Sequence, residues 1–185
     1  MLTKPFTRDD QVRVLKSITF VYDEREDRIL AAINVGHPEA WSCWLTRRLV
    51  LALLERAVGF IASTSTLAPQ APADFRSELV AFERDAAMAK TAKAMTNTPP
   101  DVLKAAANEA VLAKRVTISR HGDSFRVDLR AENGGTAAGI FGRAELQRML
   151  QMLQAAVAKA GWSGTPANSP VAATTEAPAT NPIRH

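Results

Sequence analysis

Apolar and polar residues alternate along the first part of the chain. In VRVLKSITFVY (12–22), Val12, Val14, Ile18, Phe20 and Tyr22 share one parity, with Lys16 as the exception. The β-branched and aromatic content predicts one strand. DEREDR (23–28) is a charged turn, and ILAAINV (29–35) a second strand with Ile29, Ala31, Ile33 and Val35 on one face. GHPEA (36–40) breaks the pattern, and 41–45 can add a short third strand. Thr46 is a good N-cap for a helix over 47–62, RRLVLALLERAVGFIA. Leu49, Leu53 and Phe60 lie near one face, and Val50, Leu54, Val58 and Ile61 widen the stripe, so burial on two sides or in a subunit interface is expected.

STSTLAPQAPA (63–73) has the composition of a linker, and Asp74 can cap a helix over 75–95. Phe75, Leu79, Phe82, Ala86 and Met88 give that helix a narrower stripe, and TNTPP (96–100) ends it. A short helix over 101–112 completes a helical connector, 74–111. RVTISRHGDSFRVDLRA (115–131) reads as a hairpin turning at His121-Gly122-Asp123. Phe125, Val127 and Leu129 point one way and Arg126, Asp128 and Arg130 the other. AGIF (138–141) is a third short strand. The last helix, 143–160, has the cleanest periodicity: Leu146, Met149, Leu150, Leu153 and Val157 line one side. Arg143, Glu145, Gln147, Arg148, Gln151 and Gln154 should face away, and Gly161 is a C-terminal stop. Residues 1–11 are expected to be flexible, and 163–185, rich in Pro, Ala, Ser and Thr, to form a disordered tail. The expected organisation is therefore a single α+β domain over 12–162.

The two ends of that domain follow one order of events: strand, polar turn, strand, small-residue turn, apolar pair, Arg, helix. Ile18-Thr19-Phe20 answers Val116-Thr117-Ile118, and Leu45-Thr46-Arg47 answers Phe141-Gly142-Arg143. The expectation is two antiparallel hairpin-plus-helix units, 12–62 and 113–162, related as a pseudo-repeat. In outline this resembles twice-repeated sheet-and-helix folds such as those of the Whirly and transcriptional-coactivator single-strand binders. No motif specific to that group is present, and no family is recognised.

Composition changes this picture little. With 185 residues, 46% hydrophobic and 23% charged, the chain can bury a core without disulfides or metals. Its one cysteine, Cys43, cannot form an internal disulfide, which fits a reducing cytoplasm. The first residues show no secretory signal, and LVLALL (49–54), stopped by Glu55 and Arg56, is far too short to span a bilayer. The Ala- and Arg-rich usage suggests a bacterial source. Net charge is +4, and its excess lies in 112–160, with eight Lys/Arg against four Asp/Glu.

Candidate chemistry is sparse. His37 and His121 sit in turns and His185 is the last residue; none belongs to a metal-binding or catalytic motif. There is no GxSxG, Walker or GxGxxG pattern. A Cys43–His37 pair is conceivable, but a lone Cys between Trp41 and Trp44 reads as a buried hydrophobe. Asp23, Glu24, Glu26 and Asp27 lack the ligand spacing of a calcium loop and are interleaved with Arg25 and Arg28. Neither metal nor cofactor is therefore expected, nor an enzymatic activity. Two surfaces remain. Trp41, Trp44, Arg47, Arg48 and Arg143 are candidate interaction residues, because cations in a helix's first turn oppose the helix dipole and hint at a partner. Lys114, Arg115, Arg120, Arg126 and Arg130 form a candidate nucleic-acid face. That face lacks exposed aromatics for base stacking, so a non-catalytic interaction or adaptor protein, self-associating as a homodimer or binding another protein, is the favoured expectation.

Overall fold

The computed structural model describes residues 12–64 and 98–162. The expected N-terminal arm, the linker beyond Thr64, the helix over 75–95 and the tail from 163 lie outside the described residues. The elements run β1 (Val12–Val14), β2 (Ile18–Asp23), β3 (Arg28–Ile33), β4 (Trp41–Leu45), α1 (Arg47–Ser63), α2 (Pro100–Glu109), β5 (Val111–His121), β6 (Ser124–Ala131), β7 (Thr136–Phe141) and α3 (Arg143–Lys159). The fold is α+β: the described residues form one mixed sheet of seven strands, in the order β1-β7-β6-β5-β4-β3-β2, with three helices. Neighbours are antiparallel except β1–β7 and β4–β5, which are parallel.

β1 and β2, the two ends of the strand order, are separated in the chain only by Leu15-Lys16-Ser17. Seven strands laid flat would span about 29 Å, whereas the link from Val14 to Ile18 reaches at most about 14 Å. The sheet must therefore curl until its edges meet. At the junction the chain exchanges one partner, β7, for another, β3.

Asn34 holds this junction. Its Oδ1 accepts the Lys16 and Ser17 amides at 2.9 and 3.1 Å, and its Nδ2 donates to the Val14 carbonyl at 2.6 Å. Its own amide donates to the Ser17 carbonyl at 3.1 Å. Asn34 is buried and left-handed, at φ 49°, a conformation Asn tolerates better than most residues. Gly139 answers a second demand there: a Cβ on it would overlap the Leu15 carbonyl oxygen. Only glycine lets β7 approach so closely.

The break corrects the single strand expected over 12–22. Ile18, Phe20 and Tyr22 pack on the core as expected, but Val12 and Val14 are exposed, and Leu15 is the buried residue. Parity inverts because three residues pass between the two pairings. Val35 likewise leaves the second strand, which stops at Ile33, and packs on the opposite side.

The curled sheet has two faces. On the inner face Ile29, Ala31, Ile33, Cys43, Leu45, Phe125, Val127 and Leu129 pack against α1 and α3. On the outer face Leu30, Ala32 and Trp44 pack against Leu103, Ala106, Ala107 and Ala110 in and just after α2. β3 and β4 are thus apolar at consecutive positions because both faces are covered. α1 starts where expected, with Thr46 Oγ1 accepting the Leu49 amide at 3.3 Å. The expected stripe of α3 is buried throughout, but so is Gln147, which was expected to face away. Val111 and Leu112, expected in a helix, begin β5 instead. The pairing of Cys43 and Trp44 with these two residues recruits them into the sheet.

Candidate interaction surface

The tryptophans of the dense 40–54 stretch do not act together. Alternation along β4 sends Trp41 to the inner side and Trp44 to the outer side. Trp44 is covered beneath α2, beside Leu30 and Ala32. Trp41 is half-buried, with the Arg13 guanidinium 5.7 Å from its ring centroid. Cys43 between them is fully buried, and burial pushes its thiol up to about 12, so it is not a thiolate near neutral pH. His37 stays exposed in its turn.

The three arginines also separate. Arg47 and Arg48 are exposed in the first turn of α1. Arg143 instead reaches from the start of α3 to the end of α1. It donates to the Ile61 carbonyl at 3.1 Å, to the Thr64 carbonyl and to Thr64 Oγ1. Its guanidinium also lies 5.5 Å from the Phe125 ring centroid. Its placement at a helix N-terminus makes sense because it meets the negative C-terminal end of the other helix.

The acidic turn is consumed locally. Asp23 Oδ1 accepts the Arg25 and Glu26 amides. Asp27 accepts the Tyr22 hydroxyl and the Trp162 indole N–H, each at 3.0 Å. The Trp162 bond, then the Tyr22 bond and the nearby charge of Arg47, hold the Asp27 carboxyl below its ordinary range. Trp162, buried one residue past Gly161, closes α3 onto this turn and crosses Tyr22 edge to face. Sequence periodicity missed it because it lies beyond the helix. Among the described residues no three His, Cys, Asp or Glu side chains cluster as metal ligands, and no helix is long and apolar enough to cross a membrane. A cleft lined by residues such as Phe20, Leu53 and Met149 is apolar and holds only about 20 Å³.

What stands out is the rest of the outer face, over β5, β6, β7 and β1. Residues opposite one another in register share a face, which gives three rows across the strands. The first is Val12–Thr136–Arg130–Arg115, the second Val14–Ala138–Asp128–Thr117, and the third Ile140–Arg126–Ser119. No described helix lies over them. Val12, Val14 and Ile140 are 55%, 51% and 54% exposed. Arg126 grips Asp128, with Nη2 to Oδ1 at 2.8 Å. Arg115 and Arg130 face each other across the strands, a like-charge pairing that destabilises a sheet, and neither forms an ion pair among the described residues. Lys114 sits at the irregularity that shifts the β5 register between Ala113 and Arg115. Arg120 points to the opposite parity at the hairpin tip, where its Nε donates to the Gly122 carbonyl. The predicted basic face thus reduces to Arg115, Arg126 and Arg130, and it gains an apolar strip that β1 and β7 supply. The strip was hidden in the sequence because Val12 and Val14 shared a parity with core residues.

No family model, curated protein or solved structure matches this chain.

Proposed function

We propose that the protein is a non-catalytic interaction module that binds another protein through the outer face of β5, β6, β7 and β1. The uncovered strip Val12, Val14 and Ile140 beside Arg115, Arg126 and Arg130 carries this reading. Exposed apolar side chains next to the unpaired cations of the described residues, Arg115 and Arg130, suit a segment with an apolar stripe and acidic flanks. The two strand-meander-plus-helix units, β2-β3-β4-α1 and β5-β6-β7-α3, fit a pseudo-repeat in which the first outer face is covered by α2 and the second is left for a partner. A cytoplasmic setting suits a buried free thiol.

The test uses wild-type protein and the Val14→Asp/Ile140→Asp variant as baits in one lysate of the source cell, read by quantitative mass spectrometry. A protein retained by the wild type and lost from a variant of unchanged melting temperature supports the reading. Identical retained sets overturn it.

A second reading, nucleic-acid binding, is favoured by the paired Arg115 and Arg130. It predicts salt-sensitive anisotropy changes with single-stranded oligonucleotides, abolished in Arg126→Glu/Arg130→Glu. The lack of Phe, Tyr or Trp in the three rows argues against base stacking there.

A further inference from the structure

The two halves of the outer face can be matched position by position. Ile18 pairs with Ile33 and Val116 with Leu129, so matching β2-β3 to β5-β6 sets Leu30 and Ala32 against Arg126 and Asp128. Matching Leu45 to Phe141 sets Trp44 against Ile140. Both members of each match point outward. The strand partners match as well: β4 runs parallel to β5, and β7 runs parallel to β1, which leads into β2. In the first half these positions lie under α2. In the second half no described helix lies over them.

The chemistry of the second half is sorted into columns. The exposed Val12, Val14 and Ile140 follow β1 and β7, and Arg130 and Arg115 stand on β6 and β5, in the row of Val12. From that row to the row of Ile140 is about 13 Å along the strand. A helix as long as α2, ten residues, rises about 15 Å and spans it. Arg115 and Arg130 are directly opposed in register, which sets their Cβ atoms about 5 Å apart. Residues i and i+4 of a helix have nearly the same spacing. Arg126 is already neutralised by Asp128, so the demand for acid falls at the Val12 end of the strip.

Other occupants fit less well. A strand adds to a sheet only through a free backbone edge, and β6 and β7 each lie between two neighbours. A second copy of the same face would set Arg115 and Arg130 against their own counterparts. A phosphate backbone would answer the arginines but leave the valines and Ile140 in water.

Resting on the protein-binding reading of this face, we infer that its partner supplies an amphipathic helix of about three turns that lies along β7. Its apolar stripe covers Val12, Val14 and Ile140. Acidic residues at i and i+4 on one flank meet Arg115 and Arg130. The partner's helix thus covers the second half of the outer face as α2 covers the first.

The experiment selects a display library of random 16-residue peptides on the full chain and counter-selects it on Val14→Asp/Ile140→Asp. Enriched peptides are expected to carry apolar residues at i, i+3, i+4 and i+7 with Asp or Glu on one flank, and to gain helical circular dichroism when bound. Their affinity should fall at least ten-fold for Arg115→Glu/Arg130→Glu and recover when the flanking acids of the peptide are changed to Lys. Enriched peptides whose apolar residues alternate with a period of two, or whose affinity ignores the arginine exchange, overturn the helix and leave the protein-binding reading standing. A selection that enriches no peptide on the wild type over the counter-selected variant removes both.

Discussion

The outer face of the sheet has two halves that differ in what lies over them. Over β3 and β4 the outward positions are Leu30, Ala32, Ser42 and Trp44, and α2 covers them. Over β6 and β7 they are Arg126, Asp128, Arg130, Thr136, Ala138 and Ile140, and no described helix covers them. Even the one outward polar group of the covered half is satisfied by its cover: Ser42 Oγ donates to the Ala106 carbonyl at 2.6 Å. The difference teaches that each half was shaped by what lies over it. A covered strand face can be apolar at every position. An uncovered one needs charge to stay soluble and to resist edge-wise aggregation.

The strongest way to break this comparison is to remove the side chain that joins α2 to the sheet. Trp44→Ala should cost about 3–5 kcal/mol, as truncation of a well-packed tryptophan does, measured by urea unfolding. It should free α2 first, seen as early hydrogen exchange over 100–109. A cost below about 1 kcal/mol would mean that α2 contributes little cover.

Next comes the junction that lets the two halves share one curled sheet. Asn34→Ala removes the acceptor of two amides and the donor to the Val14 carbonyl. It also forces alanine into a left-handed conformation. The expected loss is about 2–4 kcal/mol, with the β1–β7 pairing exchanging before the β2–β3 pairing. Asn34→Gly, which relieves the backbone but not the hydrogen bonds, should recover only part of it.

Much of this architecture was legible in the sequence, and the reasons it was not elsewhere are physical. The hairpin over 115–131 and the stripe of α3 could be read because each has one buried face and one wet one, and β3, covered on both faces, could be read from its β-branched and apolar run between two turns. Periodicity reports that asymmetry directly. The failures fall where neighbours decide. Val12 and Val14 carried the right parity for a strand that continued, but the chain swaps β7 for β3 between them and Ile18. Asn34 looked like part of an apolar run, and its role depends on a loop that passes it from another edge of the sheet. Gln147 is buried with its Oε1 lacking a hydrogen-bond partner, and nothing in its local pattern marks it. Of the candidate site, the basic residues were visible, but their apolar neighbours belonged to strands far away in the chain.

The two covering layers should also differ in their response to acid. The outer layer is held by apolar contacts around Trp44, whereas the inner layer ends on a titratable pin, Asp27 receiving Trp162 and Tyr22. The folded-state value of Asp27 is lowered, first by the Trp162 bond. Its stabilisation is therefore complete above the ordinary carboxylate range, near pH 4, and is lost as pH falls through the lowered value. The melting temperature of Asp27→Asn should lie below the wild type near neutrality and converge on it in acid. Asn keeps the left-handed backbone tolerable, so a gap that persists unchanged at low pH would assign the effect to geometry and not to charge.

The smallest effect should come from the uncovered half, and it is informative because it is small. Ile140 is 54% exposed and outside the core, so Ile140→Ser should change global stability by no more than about 0.5 kcal/mol. In the covered half a comparable loss of apolar area at Leu30, 3% exposed, would leave a cavity under α2 and cost several-fold more. The same serine should nevertheless loosen whatever rests on the strip. A partner protein bound there should lose affinity for Ile140→Ser while the amides of β3 and β4 keep their protection, a separation that a binding titration and hydrogen exchange read together. A shift in global stability as large as that of Trp44→Ala would place Ile140 in the core and erase the distinction between the two halves. A silent substitution in both readouts would put Ile140 outside the partner's footprint and remove the strip from the protein-binding reading.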